Sequence, residues 1–301
     1  MRLCDRNCRD RAGNCLELGS DSLPVQCVGP WVEEKYSFLE RYIDATRAAR
    51  KKFTNKGNSV YIDLFSGPGR CIIKRKQKEI DGGALRAFKY RKVTFSEYIY
   101  IDIHEPNVRA LEKRINSSNA CIFNCADANV YVQSLIKSLK EKSYRYHFVF
   151  VDPFGPEALK FSTLTLLAEL PRLDYLIHFP IGAIKRNLSK WKENEYGVLD
   201  DFLGTGEWRD KILDFKGGRT LSFLLEIYKR QLIKIGFPED GLKTRDSRDN
   251  LWASLPGVSI RNTRAVELYV LILASKHPVA QQIWNNILNI EADGQRTIKW
   301  G

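Results

Sequence analysis

The sequence lacks a hydrophobic run long enough to cross a membrane. Its longest apolar candidate, Leu268 to Ala274, is far shorter than the roughly 18 residues that a membrane span needs. The N-terminal residues lack the apolar core of a secretory signal, and the chain shows no internal repeat or low-complexity tract. These absences argue against a membrane helix, a secreted protein and a repeat architecture, and we expect a cytoplasmic location.

Acidic residues are scarce relative to basic ones. The 301 residues include 36 Asp and Glu against 48 Lys and Arg, which gives a formal net charge of +12. A basic protein attracts polyanions, so nucleic acid is the first partner to consider. Solubility or an acidic protein partner would explain the charge as well. The length and the 44% hydrophobic content predict one large domain with insertions or about two domains.

The stretch Val60–Arg70 (VYIDLFSGPGR) lacks the marks of two familiar nucleotide loops. It has neither the Lys-Ser/Thr ending of a phosphate-binding P-loop nor the full G-x-G-x-x-G of dinucleotide folds. It does join a short apolar strand ending at Asp63 to a turn containing Gly67 and Gly69, where the backbone can approach a ligand closely. This pattern suits S-adenosylmethionine, because the carboxylate can attract the ligand's ammonium group. An ordinary strand-turn packed by its glycines is the alternative.

Carboxylates also follow the next two predicted strands. Asp102 ends the strand Tyr98–Asp102, and Asp127 and Ala128 follow the strand Ala120–Cys125. Open α/β sheets bind ligands at the carboxyl ends of their strands, and an acid after the second strand accepts hydrogen bonds from ribose hydroxyls. An acid after the third could accept from the adenine amino group. The candidate cofactor-binding residues are therefore Asp63, Phe65, Gly67, Gly69, Asp102, Asp127 and Ala128.

A fourth strand, His147–Asp152, leads into the tetrapeptide DPFG. Asp152 and the Pro153 carbonyl could accept hydrogen bonds from an exocyclic amine, and Phe154 could stack on a flat ring, worth about 1–3 kcal/mol per base. These three are the candidate catalytic residues. The alternative is a strand ended by an Asp-Pro turn with a buried Phe. For His178, in the fifth strand, a hydrogen-bonded structural role is favoured, since no triad partner is visible.

Four cysteines, Cys4, Cys8, Cys15 and Cys27, lie in a polar N-terminal segment with the spacing C-x3-C-x6-C-x11-C. Four thiolates could hold a structural zinc ion or an iron–sulfur cluster. Reduced surface thiols, or disulfides in an oxidising compartment, are the alternatives. The spacing lacks the paired C-x2-C knuckles of a zinc ribbon. Cys121 and Cys125 (C-x3-C) lie within or beside a predicted strand, and this position favours buried free thiols over metal ligands.

Residues 70–92 are strongly basic, with nine Lys and Arg against two acids. We expect a mobile loop over 70–78 that could contact a phosphate backbone, although a solvated charged face explains the charges equally well. The candidate nucleic-acid-binding residues are Arg70, Lys74, Arg75 and Lys76. The helical stretch 181–248 places Trp191 and Trp208 in loop-like, basic surroundings that could bind a polymer.

These elements predict an α/β fold: a Rossmann-like, mostly parallel sheet whose last strand is antiparallel. The predicted segments are a Cys-rich extension at 1–30, a core at 31–180, a helical insertion or cap at 181–248, and a closing strand pair and helix at 249–301. Five β-α steps followed by such a strand pair resemble the class I S-adenosylmethionine-dependent methyltransferase fold, in which three strand-end carboxylates meet the cofactor.

More specifically, residues 31–290 resemble the three-Cys-motif partner family. The resemblance rests on the helix Lys35–Tyr42, YIDLFSGPGR at Tyr61–Arg70, DPFG at Asp152–Gly155, and LYVLILASKHP at Leu268–Pro278 followed by Trp284. It implies a methyltransferase-like protein with a radical-S-adenosylmethionine-like partner protein, and it does not explain the N-terminal cysteines. DPFG is also similar to the motif of tRNA guanine dimethyltransferases, which implies an amine target.

Two hypotheses follow. The first is an S-adenosylmethionine-dependent N-methyltransferase acting on an exocyclic or other amine of nucleic acid or a nucleoside-like substrate. The second is a non-catalytic, methyltransferase-like adaptor that docks a partner enzyme or nucleic acid. An acid cluster for a two-metal nuclease is missing from the sequence.

Overall fold

The computed structural model describes two units of the chain. The described residues are 8, 15, 17–74, 76, 78–116, 119–142, 144–193, 197–212, 219–239, 257–261 and 267–288. One unit comprises Met1–Ala128 with Tyr144–Phe150, and the other Asn129–Ser143 with Val151–Gly301. The division into four segments expected from composition stays a prediction.

The first unit alternates strands and helices. Its strands are β1 (Gln26–Val28), β2 (Ser59–Asp63), β3 (Arg70–Ile73), β4 (Lys78–Asp81), β5 (Glu97–Asp102), β6 (Cys121–Cys125) and β7 (Tyr146–Val151). Its helices are α1 (Val32–Ala45), α2 (Arg47–Thr54), α3 (Gly83–Lys89) and α4 (Glu105–Ile115).

Four of these strands form a parallel sheet in the order β6-β5-β2-β7. In its register, Asp63 lies beside Tyr100 and Phe150, and Asp102 lies beside Cys125. Parallel strands end at the same edge of a sheet, so the carboxyl ends of β2, β5 and β6 lie along one edge. This edge is where ligands bind in open α/β sheets.

β2 is buried along its whole length, as its apolar sequence predicts. Tyr61 is 0% exposed, and its ring lies 5.5 Å from that of Phe95 and 5.8 Å from that of Phe148, measured between centroids. Each fully buried aromatic of this kind stabilises the fold by about 1.5–3 kcal/mol relative to an exposed one. The strand that carries Asp63 is therefore held rigidly in the core.

The prediction of a mobile loop over residues 70–78 is wrong. β3 and β4 form an antiparallel pair, and β1 pairs with β3 in parallel, which makes a small second sheet in the order β1-β3-β4. The physical reason lies in Cys71, Ile72 and Ile73, which are buried and β-favouring despite the basic residues around them. The segment after the glycine turn is thus a strand that pairs with β1 of the N-terminal arm, residues 17–28.

The second unit contains helices and the remaining strands. Its helices are α5 (Ala128–Lys140), α6 (Phe161–Leu167), α7 (Ile181–Lys192), α8 (Val198–Leu203), α9 (Trp208–Ile212), α10 (Arg219–Lys234) and α11 (Pro278–Leu288). Its strands are β8 (Leu173–Phe179), β9 (Gly257–Arg261) and β10 (Glu267–Ser275). β10 is antiparallel to both β8 and β9, and Trp284 of α11 is fully buried.

The predicted α/β fold, with a mostly parallel central sheet and an antiparallel β10, is confirmed. No helix among the described residues has the length and apolar character to cross a membrane.

Two expectations about side-chain exposure are wrong. Trp191 and Trp208 are 8% and 0% exposed, and the Trp208 Nε1 donates a hydrogen bond to Asp200, 3.2 Å away, so neither ring is available to stack on a polymer. Cys121 and Cys125 lie outside any disulfide, as expected, but they are not buried: Cys121 is half-buried and Cys125 exposed, because β6 is the edge strand of its sheet.

Candidate functional site

The glycine turn after β2 is hydrogen-bonded to the end of β5. The Ser66 N–H donates to the Ile101 carbonyl at 2.9 Å, and the Gly67 N–H donates to the Asp102 Oδ2 at 2.9 Å. Gly67 and Gly69 have φ of +60° and +86°, the left-handed region that glycine adopts without strain. The turn's conformation therefore depends on both glycines and on the carboxylate of the neighbouring strand.

Asp102 accepts hydrogen bonds from three donors. Its Oδ1 accepts from the His104 N–H at 2.8 Å and the Asn107 Nδ2 at 3.1 Å, and its Oδ2 accepts from Gly67. Burial raises the pKa of Asp102, and these hydrogen bonds partly oppose the rise. An ionised carboxylate has about four acceptor positions, so a further donor, such as a ribose hydroxyl, can be accepted.

Asp63 lies deeper than its predicted role requires. It is 1% exposed and accepts hydrogen bonds from the Tyr61 hydroxyl and the Phe65 N–H, both at 3.2 Å. Burial, and then the Asp63 charge, raise the pKa of Tyr61 well above its ordinary value. These contacts fix the first step of the turn, while the proposed contact with a ligand's ammonium group stays a prediction.

Asp127 and Ala128 follow β6 at the same edge. Asp127 is exposed, and Ala128 is 4% exposed at the start of α5. The Ala126 N–H donates to the Asp102 carbonyl at 3.1 Å, which ties this turn to β5. The structure thus brings Asp63, Asp102 and Asp127 to one edge of the sheet in the first unit.

Two residues at this edge, Ser66 and Ile103, were not predicted from the sequence as site residues. Ser66 Oγ is buried and has no hydrogen-bond partner among the described residues. Ile103, directly after Asp102, is 62% exposed although it is large and apolar. The only sequence feature that could have indicated them is their position, since Ser66 is adjacent to Gly67 and Ile103 to Asp102.

DPFG lies in the second unit, where Asp152 pairs with His178. Asp152 Oδ1 is 2.8 Å from His178 Nδ1, and the two side chains are 13% and 12% exposed. The His178 ring lies edge-on to Tyr269 of β10, with centroids 4.3 Å apart and planes at 82°. His178 therefore has the carboxylate partner that the sequence did not reveal, because β8 places it next to a residue distant in the chain.

The two residues after Asp152 differ in accessibility. Pro153 is buried, whereas Phe154 is 64% exposed. The alternative of a buried Phe in an Asp-Pro turn is therefore wrong for Phe154. An exposed aromatic side chain next to a half-buried carboxylate can stack on a flat ring whose amine the carboxylate orients.

Three of the four N-terminal cysteines meet in the first unit. The Sγ of Cys27 lies 3.4 Å from that of Cys8 and 2.6 Å from that of Cys15. Cys8 and Cys15 are outside any disulfide, whereas Cys27 is disulfide-bonded. Burial raises the pKa of Cys15. Cys4 lies outside the described residues.

The predicted nucleic-acid-binding residues do not share one environment. The Arg70 guanidinium lies 2.9 Å from Glu79, 3.4 Å from Asp21 and 3.7 Å from Asp81, so it is surrounded by carboxylates. Lys74 is half-buried and Lys76 is exposed. Arg75 lies outside the described residues. Their contact with nucleic acid stays a prediction.

Comparisons with known proteins give low similarities. No protein-family model matches the sequence, and no curated protein is significantly similar to it. Trm1 from Pyrococcus horikoshii in complex with S-adenosyl-L-methionine is 13% identical, over 88% of this chain and 60% of that chain, with a TM-score of 0.41. The N-methyltransferase NodS from Bradyrhizobium japonicum, in complex with S-adenosyl-L-homocysteine, is 11% identical, over 82% and 88%, with a TM-score of 0.39. Similarities at this level do not assign an activity to this chain.

Proposed function

We propose that this protein is an S-adenosylmethionine-dependent N-methyltransferase whose cofactor binds at the carboxyl edge of the first unit's sheet. The observation that supports it best is the hydrogen bond from Gly67 to Asp102. It joins a glycine turn to the acid of the second strand, which is the arrangement expected for binding a nucleoside with an amino-acid tail.

The residues at this edge fit such a cofactor. Asp102 can accept a further hydrogen bond from a ribose hydroxyl. The buried Ser66 Oγ, which has no hydrogen-bond partner in the described part of the chain, can pair with a polar atom of the ligand. Ile103 offers an apolar face to a purine ring, and Asp127 an acceptor to its amino group. When bound, the cofactor supplies an electrophilic methyl group.

In the second unit, Asp152 and Phe154 fit an amine on a flat ring. The Asp152 carboxylate accepts the amine's N–H and orients the nitrogen, and Phe154 stacks on the ring. His178 Nδ1 lies 2.8 Å from Asp152 Oδ1, so the imidazole is next to the carboxylate that would accept the amine. The amines of nucleic-acid bases match these groups, and the formal net charge of +12 favours a polyanionic substrate.

Cofactor binding is tested by isothermal titration of the full chain with S-adenosylmethionine. We expect saturable binding, and we expect Asp102→Ala to weaken it by about 10–100-fold, because a hydrogen bond to a charged group contributes about 1.5–3 kcal/mol. Glu169→Ala, which removes an exposed carboxylate of the second unit, is the matched control and should bind like wild type. A folded wild-type protein that gives no binding heat would refute the proposal.

Transfer is tested with methyl-labelled S-adenosylmethionine and RNA, DNA or free nucleosides. Asp152→Asn should keep the cofactor affinity and lose most of the labelled product. Binding without transfer to any of these substrates would instead favour the non-catalytic adaptor. The radical-S-adenosylmethionine-like partner protein stays a prediction of the family resemblance.

A further inference from the structure

The cysteine cluster brings together more sulfur atoms than a disulfide uses. The Sγ atoms of Cys8, Cys15 and Cys27 all lie within 4.8 Å of one another. Cys8 and Cys27 are 6% and 3% exposed and pack with Val25 and Ile72. One disulfide accounts for two sulfurs, whereas a tetrahedral metal ion uses three or four.

We propose that, in the reduced protein, Cys8, Cys15 and Cys27 bind a structural zinc ion that holds the N-terminal arm, residues 17–28, against the glycine turn. Zinc–sulfur bonds of about 2.3 Å place the ligand sulfurs of a tetrahedral site about 3.8 Å apart. To reach that spacing, the Cys8–Cys27 separation of 3.4 Å would lengthen by about 0.4 Å and the Cys15–Cys27 separation of 2.6 Å by about 1.2 Å. A multi-iron cluster would need its cysteines spread around a larger body.

The disulfide at Cys27 and a zinc thiolate at Cys27 are alternative states of one sulfur atom. Only the thiolate binds the metal, so the zinc site belongs to the protein with Cys27 reduced. The fourth ligand of the tetrahedron comes from outside these three residues.

The arm that carries Cys27 is paired with the strand that follows the glycine turn. In the β1–β3 register, Cys27 lies beside Ile72 and Gln26 beside Cys71. A Cβ placed on Gly67 would lie 3.3 Å from the Gln26 Oε1. The residue before Cys27 therefore packs directly on the turn that hydrogen-bonds to Asp102.

Arg114 provides a second link between the arm and the turn. Its side chain is 3% exposed, and its guanidinium donates to both carboxylate oxygens of Asp21 at 2.8 and 2.7 Å. Arg114 Nη1 also donates to the Pro24 carbonyl at 2.7 Å and the Pro68 carbonyl at 2.6 Å. One buried cation thus binds the arm and the backbone between Gly67 and Gly69, so a displaced arm removes support from the turn.

The zinc site is tested by elemental analysis of the full chain purified in a phosphine reductant, which keeps thiols reduced. We expect about one zinc per chain, and we expect Cys8→Ser and Cys15→Ser to lose most of it while Cys121→Ser, outside the cluster, keeps it. If the serine variants do not fold, zinc removal from wild type by a chelator and its recovery on adding zinc chloride give the same answer. Chains without zinc, or with iron and sulfide, would overturn the assignment.

The coupling to the turn is tested by titration with S-adenosylmethionine, and this part rests on the proposed function. Zinc removal should weaken binding about tenfold, as expected if the turn is correctly formed in about a tenth of the molecules. Arg114→Lys should keep zinc and weaken binding similarly, whereas Arg109→Lys, exposed on the same helix, should do neither. Unchanged affinity in the zinc-free protein would overturn the coupling. Failure of wild type to bind at all would refute the proposed function, and the zinc content would still decide the metal site.

Discussion

Gly69 is the position at which the glycine turn should tolerate substitution least. Its φ is +86°, and a Cβ there would lie 2.7 Å from Leu111 Cδ1 and 3.1 Å from Leu85 Cγ. Leu111 and Leu85 are 0% and 1% exposed, so neither side chain can swing away into solvent. Gly69→Ala should therefore suffer both backbone strain and overpacking.

The two effects can be separated by a matched glycine. The left-handed conformation costs an L-residue about 1–2 kcal/mol, and overpacking a core costs about 1–3 kcal/mol. The reduced entropy of the unfolded chain offsets about 0.4–1 kcal/mol of this. Gly57 has φ +67° with nothing within 4 Å of its Cβ position, so Gly57→Ala incurs only the backbone cost.

The free energy of unfolding is measured by urea denaturation monitored by circular dichroism. We expect it to be about 1–3 kcal/mol lower for Gly69→Ala than for Gly57→Ala. Leu111→Ala should then cost less in the Gly69→Ala background than in wild type, because it makes room for the new methyl group. Equal destabilisation by the two glycine substitutions would refute the packing argument. Wild-type cofactor affinity in a folded Gly69→Ala variant would refute the role of the turn.

Three further predictions concern charge and stacking. Affinity for S-adenosylmethionine should fall as pH drops toward the pKa of Asp102, which burial raises above its ordinary 3.8, and titration calorimetry of Asp102→Asn should show a flat profile over that range. The Arg114 hydrogen bonds lower the pKa of Asp21 to about 2 in the folded protein, against 3.8 in the unfolded chain. The stability that these hydrogen bonds provide is therefore fully present above pH 3.8 and is lost as the pH falls to about 2. Urea midpoints of wild type and Asp21→Asn should converge over that interval, and a constant gap would contradict the assignment. Phe154→Ala should leave the thermal midpoint unchanged, since the ring is 64% exposed, and should weaken RNA binding about 10–100-fold if the ring stacks on a base.

Local sequence signals were sufficient for the elements around the first acid. β2 is a continuous apolar run that ends in an acid and two glycines, and a buried parallel strand followed by a tight turn is the structure such a run favours. The acid at the end of β5 was found in the same way. Once the strands are known to be parallel and adjacent, their shared edge follows from sheet geometry, without any information about side-chain contacts.

Contacts between segments that are distant in the chain could not be predicted from the sequence. The ordering of residues 70–73 depends on β1, and the basic residues nearby gave a stronger signal for a loop than Ile72 and Ile73 gave for a strand. The Asp152–His178 pair requires two strand ends from different parts of the sequence to meet. Trp208 follows the turn-like GTGE stretch, and its burial depends on the surrounding helices rather than on its neighbours in the chain.

The distribution of charge illustrates why composition alone overstates the affinity of one segment for polyanions. Of the eight basic residues in 70–92 that the structure describes, five pair with carboxylates: Arg70, Lys78, Arg86, Lys89 and Lys92. A phosphate must displace those carboxylates to bind there. Each such exposed pair is worth only about 0–1 kcal/mol, so displacing one carboxylate costs little free energy. The displaced carboxylates stay nearby, however, and their negative charge weakens the attraction of this segment for phosphate. The exposed Lys76 is therefore a better candidate for a phosphate contact than Arg70, whose three acidic neighbours hold it on the arm and the hairpin.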